Sequence, residues 1–502
     1  MMPPLPTLAR LADVLCLALV VLALIVYGSG GFRERLFGIR IAFTSPGRML
    51  LWALAIAFVR HAWVRRRPIY ADLPRRIAGA WHTAAVRTAL TAFVGTRPAI
   101  LFVGYIAIFM IGFPSGDVPP WRVSENEFGN LPARWDVGWY LGIASSGYSY
   151  SFHAQEAGDQ QSIVFFPAGP IVMRVAGRLI GASSTDYMLY VWGGTLASLG
   201  AFLWALTYLF RFARDVLEDE DQAGLSVWLL ATYPFALWFG TPYTESLFLL
   251  GAVGAFYHAR RGELWKSGAW GLLVGLSRPN GCFLSLPLAI LALEPYLPAW
   301  LAGGRRARAR DERSVTGNGD AAAAASTAVA ERRAWRPLVT RIAAAAMPGV
   351  GMLIYSAYIW QLTTDPLAWA KGHVAWGRSY QGLSILVTER YAWLENVGLY
   401  RYTSEASNDL LQLMGAVFVL VAAWPVARRI GLACSVFILI NMLPPLAAGG
   451  LLSAGRFSSV LFPAFVWLAS ALPASQRSAW LATFMALQAL NAILFFTWRE
   501  MF

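Results

Sequence analysis

Apolar residues occur in this chain as long blocks, not as the short alternations of a soluble fold. Apolar runs cover about 11–28, 48–63, 98–113, 187–211, 224–241, 246–259, 267–281, 282–294, 338–360, 408–426, 430–449, 457–473 and 478–498. Roughly 20 apolar residues cross a bilayer as a helix, so the pattern predicts an all-α polytopic membrane protein with about 11–13 transmembrane helices. Several runs between 224 and 294 fall short of that length, and short helices at membrane depth are tolerated where they face a cavity inside the protein. The first run is broken only by Asp13 and has no convincing small-residue cleavage site, so it reads as an uncleaved span. Residues 163–181 contain Pro167, Pro170, Arg174 and Arg178, which favours an interfacial helix over a span. The middle of the basic segment 64–97, about 75–93, reads as a second amphipathic helix on an anionic surface. Residues 301–336, basic and then rich in Ala and Gly, read as a flexible cytoplasmic linker.

These elements divide the chain into four parts. Residues 1–97 form a two-span extension with its basic segment. Residues 98–300 form a transmembrane module with a large outer loop at 114–186. The linker follows at 301–337, and 338–502 is a second transmembrane module with an outer loop at 361–407.

Composition agrees with the membrane reading. The mean hydropathy is +0.50 and only 14% of residues are charged, against about 25% for a soluble domain. The net charge of +13 is carried almost wholly by Arg. Such an excess is first a topology signal, and membrane lipids with anionic headgroups are its expected partner, with no nucleic acid expected. Cys16, Cys282 and Cys434 lie far apart in apolar segments, and the five histidines show no metal-ligand spacing, so no metal site is predicted.

With the N-terminus inside and 163–181 non-spanning, Arg65–Arg67, Arg211, Arg214, Arg260, Arg261, the 301–336 linker, Arg428, Arg429 and Arg477 all fall on the inner side. Only 33–48 is discordant, with several arginines outside. The same topology gathers five polar clusters at the outer face. They are Arg134-Trp135-Asp136 with Gly147-Tyr148, Thr241-Pro-Tyr243-Thr-Glu245-Ser246, Ser277-Arg278-Pro-Asn280-Gly281, Asp365-Pro-Leu with Trp376-Gly-Arg378, and Ser453-Ala-Gly-Arg456. Ionisable groups near membrane depth are costly, so their convergence points to a site. Each has a plainer reading. Asp136 could cap the helix that starts at Val137, Glu245 could sit on a helix dipole, and Arg278 and Arg456 could snorkel to headgroups. Arg378 could stack on Trp376. Trp135, Trp139, Tyr140 and Tyr148 suit a sugar ring, or an interfacial anchor. Glu125, Glu127, His153 and Asp159 read as solvated loop groups.

At these residues the chain resembles the glycosylphosphatidylinositol mannosyltransferase 2 (PIG-V) family and its prokaryotic relatives, in the GT-C glycosyltransferase superfamily. The similar elements, in order, are Arg134-Trp135-Asp136 with Trp139-Tyr140-Leu141 and Gly147-Tyr148, Phe165-Phe166-Pro167, Tyr233-Pro234 with Tyr243-Thr-Glu245-Ser246, Arg278-Pro-Asn280-Gly281, Asp365-Pro-Leu with Trp376-Gly-Arg378, and Arg456. Phe457 stands where the family has Tyr, and the two spans before residue 64 look like an addition. The resemblance covers about 98–475. It implies a GT-C-like bundle with a catalytic first outer loop. It further implies transfer of mannose from a polyprenyl-phosphate mannose donor to a glycolipid or glycan acceptor, at the extracytoplasmic face of the plasma (inner) membrane, with no cofactor. Asp136 corresponds to the family's outer-loop acid. Arg134, Trp135, Tyr140, Tyr148, Tyr243, Glu245, Arg278, Asn280, Trp376, Arg378 and Arg456 become candidate substrate-binding residues.

The chemistry of these residue types agrees. A sugar hydroxyl is a poor nucleophile, and a positioned carboxylate can take its proton as it attacks. Guanidiniums can stabilise charge growing on a departing phosphate. Direct attack inverts the anomeric centre. Two other classes compete: a transporter or flippase of lipid-linked sugars, and a non-enzymatic scaffold. No inverted repeat is visible, and the polar clusters gather at one face.

Overall fold

The computed structural model describes residues 6–29, 32–36, 39–72, 75, 79, 81–152, 159–294 and 323–501. Among the described residues the chain is all-α apart from one small hairpin, with β1 (Phe32–Leu36) antiparallel to β2 (Ile39–Phe43). The hairpin occupies the discordant loop 33–48. It follows α1 (Thr7–Ser29) and precedes α2 (Pro46–Trp63), which pack together as a pair. That pair is joined by polar as well as apolar contacts: Arg60 Nε lies 2.7 Å from Asp13, and both residues are buried.

Among the described residues, seven helices are long and apolar enough to cross a membrane. One is α3 (Ala84–Met110), which starts where the Thr83 hydroxyl accepts a hydrogen bond from the Val86 N–H. The expected interfacial helix at 75–93 is therefore not a separate element in its second half. Residues from Ala84 are the first turns of α3, and most of 73–80 lies outside the described residues. A Thr cap followed by Ala-rich sequence propagates the helix into the apolar run.

The first polar loop holds α4 (Val137–Ser146) and α5 (Ala168–Leu179). As expected, 163–181 is not a span: α5 has 12 residues, about 18 Å of helix. Its Gly177 meets Gly193 of α6 (Tyr187–Leu217) backbone to backbone, which lays α5 across the start of that long helix.

Then come the short elements: α7 (Glu220–Thr232), α8 (Glu245–Arg260), α9 (Leu264–Ser277) and α10 (Ser285–Leu293). The apolar run 224–241 breaks because Pro234 lacks an N–H and pushes Tyr233 into extended geometry (φ −52°, ψ 139°). Everything from Tyr233 to Glu245 is buried.

The linker expectation is corrected in part. Residues 301–322 lie outside the described residues, but 323–336 are helical and continue as α11 (Ala323–Thr363). An Ala-rich stretch is the strongest helix former, which outweighs its linker-like look. The second outer loop contains α12 (Ile385–Glu405), kinked at Gly398. The C-terminal part is α13 (Ser407–Arg429), α14 (Leu432–Gly449), α15 (Ala454–Ser459), α16 (Pro463–Ala471) and α17 (Arg477–Phe496).

Candidate active site

The site is assembled at chain breaks. Asp136 ends the loop before α4, Glu245 opens α8, Arg278 follows α9, and Arg456 sits in the short α15. Side chains at such ends can converge because no continuous helix passes between them. Arg456 is the hub. Its Nη1 donates to Asp136 Oδ2 at 3.0 Å, and its Nε donates to Glu245 Oε1. Nη2 of Arg278 lies 3.3 Å from the same Glu245 oxygen. The Arg456 guanidinium also lies over the rings of Tyr243 (4.6 Å) and Trp238 (5.2 Å). An aromatic face favours a cation, and more so when desolvated.

The two carboxylates differ in surroundings. The side chain of Glu245 is fully buried, while that of Asp136 is 29% exposed. Asp136 stands where a helix cap would, yet its carboxylate makes no capping hydrogen bond, so the capping alternative falls away. Its N–H donates to the Tyr243 hydroxyl at 3.0 Å, and that hydroxyl donates to the Arg134 carbonyl at 3.2 Å. Tyr243 thus locks the loop at Asp136. Trp135 adopts φ 51°, a conformation disfavoured for a bulky residue, and is held against Trp498 at 5.0 Å.

Further guanidiniums flank this pair. The Phe457 ring lies 5.1 Å from the Arg278 guanidinium carbon and 5.2 Å from that of Arg378. The Phe in place of the family's Tyr therefore bridges two cations. Arg378 donates to the Leu452 carbonyl at 3.2 Å. Burial first, then the nearby Arg456 and Arg278, lower its guanidinium to about 10, so it stays charged at neutral pH. Three guanidiniums against two carboxylates leave one positive charge in excess at the site. Nη1 of Arg278 is buried without a hydrogen-bond partner among the described residues, a donor suited to an anionic oxygen.

Other candidates support the site from its edges. Asn280 donates to Asn441 Oδ1 at 3.0 Å and ties the Arg278 turn to α14. Tyr140 packs edge-on to Tyr243 and Phe165; burial raises its phenol to about 12, so it remains protonated. Trp376 packs against Trp139 and Phe165, each at 5.7 Å, forming an aromatic wall. Tyr148 packs on Tyr355 and Tyr358, its hydroxyl donating to the Phe165 carbonyl at 2.7 Å.

Arg134 does not join the cluster. It is 1% exposed, and its guanidinium binds backbone carbonyls of Phe496 (2.8 Å), Ala133 (3.0 Å) and Asn130. It fastens the Asp136 loop to the end of α17. His153 lies outside the described residues. Sequence reasoning missed Trp238 beneath Arg456 and Asn441 beside Asn280. Both lie in apolar runs, where the signal was one aromatic or amide among many.

Residues 116–292 match the model of the family described as mannosyltransferase (PIG-V). No curated protein and no solved structure matches the chain. The matched stretch contains Asp136, Tyr243, Glu245 and Arg278, while Arg378 and Arg456 come from beyond it. Over that stretch, about a third of its length, the chain is similar to the PIG-V mannosyltransferase family, and the seven long apolar helices among the described residues suit a membrane protein.

Proposed function

We propose that the chain transfers mannose from a polyprenyl-phosphate mannose donor to a lipid or glycan acceptor at the extracytoplasmic face, with inversion and with Asp136 as general base. The observation that carries this is the pairing of one accessible carboxylate with a cluster of guanidiniums in positive excess. The donor is a phosphodiester bearing one negative charge, which matches that excess.

In the reaction an acceptor oxygen attacks the anomeric carbon. The new C–O bond forms as the bond to the phosphate oxygen breaks, and the bonding pair leaves with polyprenyl phosphate. The acceptor proton passes to the Asp136 carboxylate. The leaving phosphate gains negative charge, and the guanidiniums of Arg278 and Arg378 stabilise it. Because phosphate is a good leaving group, one carboxylate suffices, where inverting glycosidases use a second as acid. Glu245, fully buried between Arg278 and Arg456, serves as their counter-ion.

The test is transfer from radiolabelled polyprenyl-phosphate mannose in membranes containing the chain or its Asp136→Asn variant. Loss of a base predicts a fall in turnover of about 10²–10⁴-fold with the donor still bound. Full activity in Asp136→Asn overturns the base assignment.

A further inference from the structure

The break between α7 and α8 frees backbone carbonyls in the interior of the bundle. An unsatisfied carbonyl there costs several kcal/mol, so each needs a donor. The donors come from two helices distant in sequence. From α3, Arg97 gives Nη2 to the Ala231 carbonyl at 2.7 Å and Nη1 to the Ala236 carbonyl at 2.6 Å. From α17, Gln488 Nε2 binds the carbonyls of Ala231 (3.1 Å) and Tyr233 (2.9 Å), the second of which also accepts from the Ala236 N–H at 2.8 Å. Asn491 Nδ2 binds the Pro234 carbonyl at 3.0 Å. All three side chains are at most 1% exposed.

Arg97 is a full charge in the apolar interior, with its guanidinium carbon 5.0 Å from the Phe202 ring. It sits at the C-terminal end of α7, where the helix dipole is negative. The segment so held, 233–244, carries Trp238 and Tyr243, on which the Arg456 guanidinium rests, and leads directly into Glu245. Tyr243 in turn fixes the backbone of Asp136. All three donors lie outside 116–292, the stretch matched by the family model.

We propose that Arg97, Gln488 and Asn491 are positioning residues for transfer: they replace the hydrogen bonds lost at the broken helix and thereby set where Arg456 and Asp136 stand. The inference rests on the transfer reading above. It concerns orientation rather than donor binding, since the amides contact neither Arg278 nor Arg378.

The experiment uses the full chain, purified, with variants Gln488→Ala, Asn491→Ala, Arg97→Gln and Arg97→Lys. Misplacement of the reacting groups by a fraction of an ångström lowers turnover, so kcat for each amide variant falls at least about tenfold while donor KM stays within about twofold. Arg97→Gln falls further, and Arg97→Lys recovers part of the loss. Combined with Arg456→Lys, each loss is less than multiplicative, because both act through one guanidinium. Backbone hydrogen exchange rises across 233–244 but not across 196–217.

Wild-type kcat in the amide variants overturns the proposal, as does a fully multiplicative effect with Arg456→Lys. If Arg97→Gln does not fold, the amide variants decide. If the wild-type chain transfers no mannose, it is the functional reading that fails. Hydrogen exchange then judges the positioning role, and unchanged protection at 233–244 overturns it.

Discussion

Glu245 binds two guanidiniums from inside the protein and reaches no solvent. Removing its charge leaves Arg278 without its carboxylate and Arg456 with Asp136 alone, and breaking a buried pair costs about 3–5 kcal/mol. Glu245→Gln is therefore expected to lower the melting temperature in detergent and to abolish transfer, both read on the same preparation. Arg278 makes a different prediction. Its unpartnered Nη1 suits a phosphate oxygen, and a charge-assisted hydrogen bond is worth about 1.5–3 kcal/mol. Arg278→Lys keeps the charge but loses the planar fork, so donor KM rises about 10–100-fold with kcat less affected. A donor KM equal to wild type would remove Arg278 from the phosphate site. The sequence marked both residues by their place at the ends of apolar runs, and it marked Arg134 and Asp136 alike. It did not separate those two neighbours. The guanidinium of Arg134 is taken up by carbonyls of Asn130, Ala133 and Phe496, the last 362 positions away, and local sequence carries no sign of that partner.

At the scale of elements, the short apolar runs were legible because their lengths and prolines are local. The closeness of their packing was not. Gly275, near the end of α9, would place a Cβ 1.9 Å from the Pro348 carbonyl oxygen of α11. Backbone meets backbone there, three positions before Arg278. Gly275→Ala gains helix propensity of about 1 kcal/mol, but overpacking costs typically 1–3 kcal/mol and more where backbone must move. The net expectation is a lower melting temperature and reduced transfer. Gly200→Ala in α6 is the control: a Cβ there meets nothing within 4 Å, so it should melt at or above the wild-type temperature. Equal melting of the two variants would show that α9 and α11 can separate without loss. Arg97 shows the opposite error of reading. As the last cation of a basic segment it looked cytoplasmic, yet it lies inside a 27-residue helix and is 1% exposed. Its partners are carbonyls of a break that only the folded chain brings within reach.

Across the whole molecule, the chain ends that carry Asp136, Glu245, Arg278 and Arg456 meet at one level of the bundle. That level can be placed along α6. Ser198 donates to Ser246, the residue after Glu245, at 3.0 Å, and Ser198 stands 11 residues from the start of α6, about 16 Å along its axis. The full helix has 31 residues, about 46 Å, which exceeds a hydrocarbon core of about 30 Å. The charge cluster thus sits well below one end of α6 and far from the other, where Glu220 opens α7. The positive-inside rule predicts that the Glu220 end, with Arg211 and Arg214, is cytoplasmic. A direct test replaces Cys16, Cys282 and Cys434 by Ala and adds Ser146→Cys or Glu220→Cys, both exposed positions at opposite ends. A membrane-impermeant maleimide on intact cells should label Ser146→Cys, and should label Glu220→Cys only after permeabilisation. The reverse pattern would put the carboxylate pair on the cytoplasmic side. A donor headgroup would then have to be met there, and the extracytoplasmic assignment would be abandoned while the site chemistry stood.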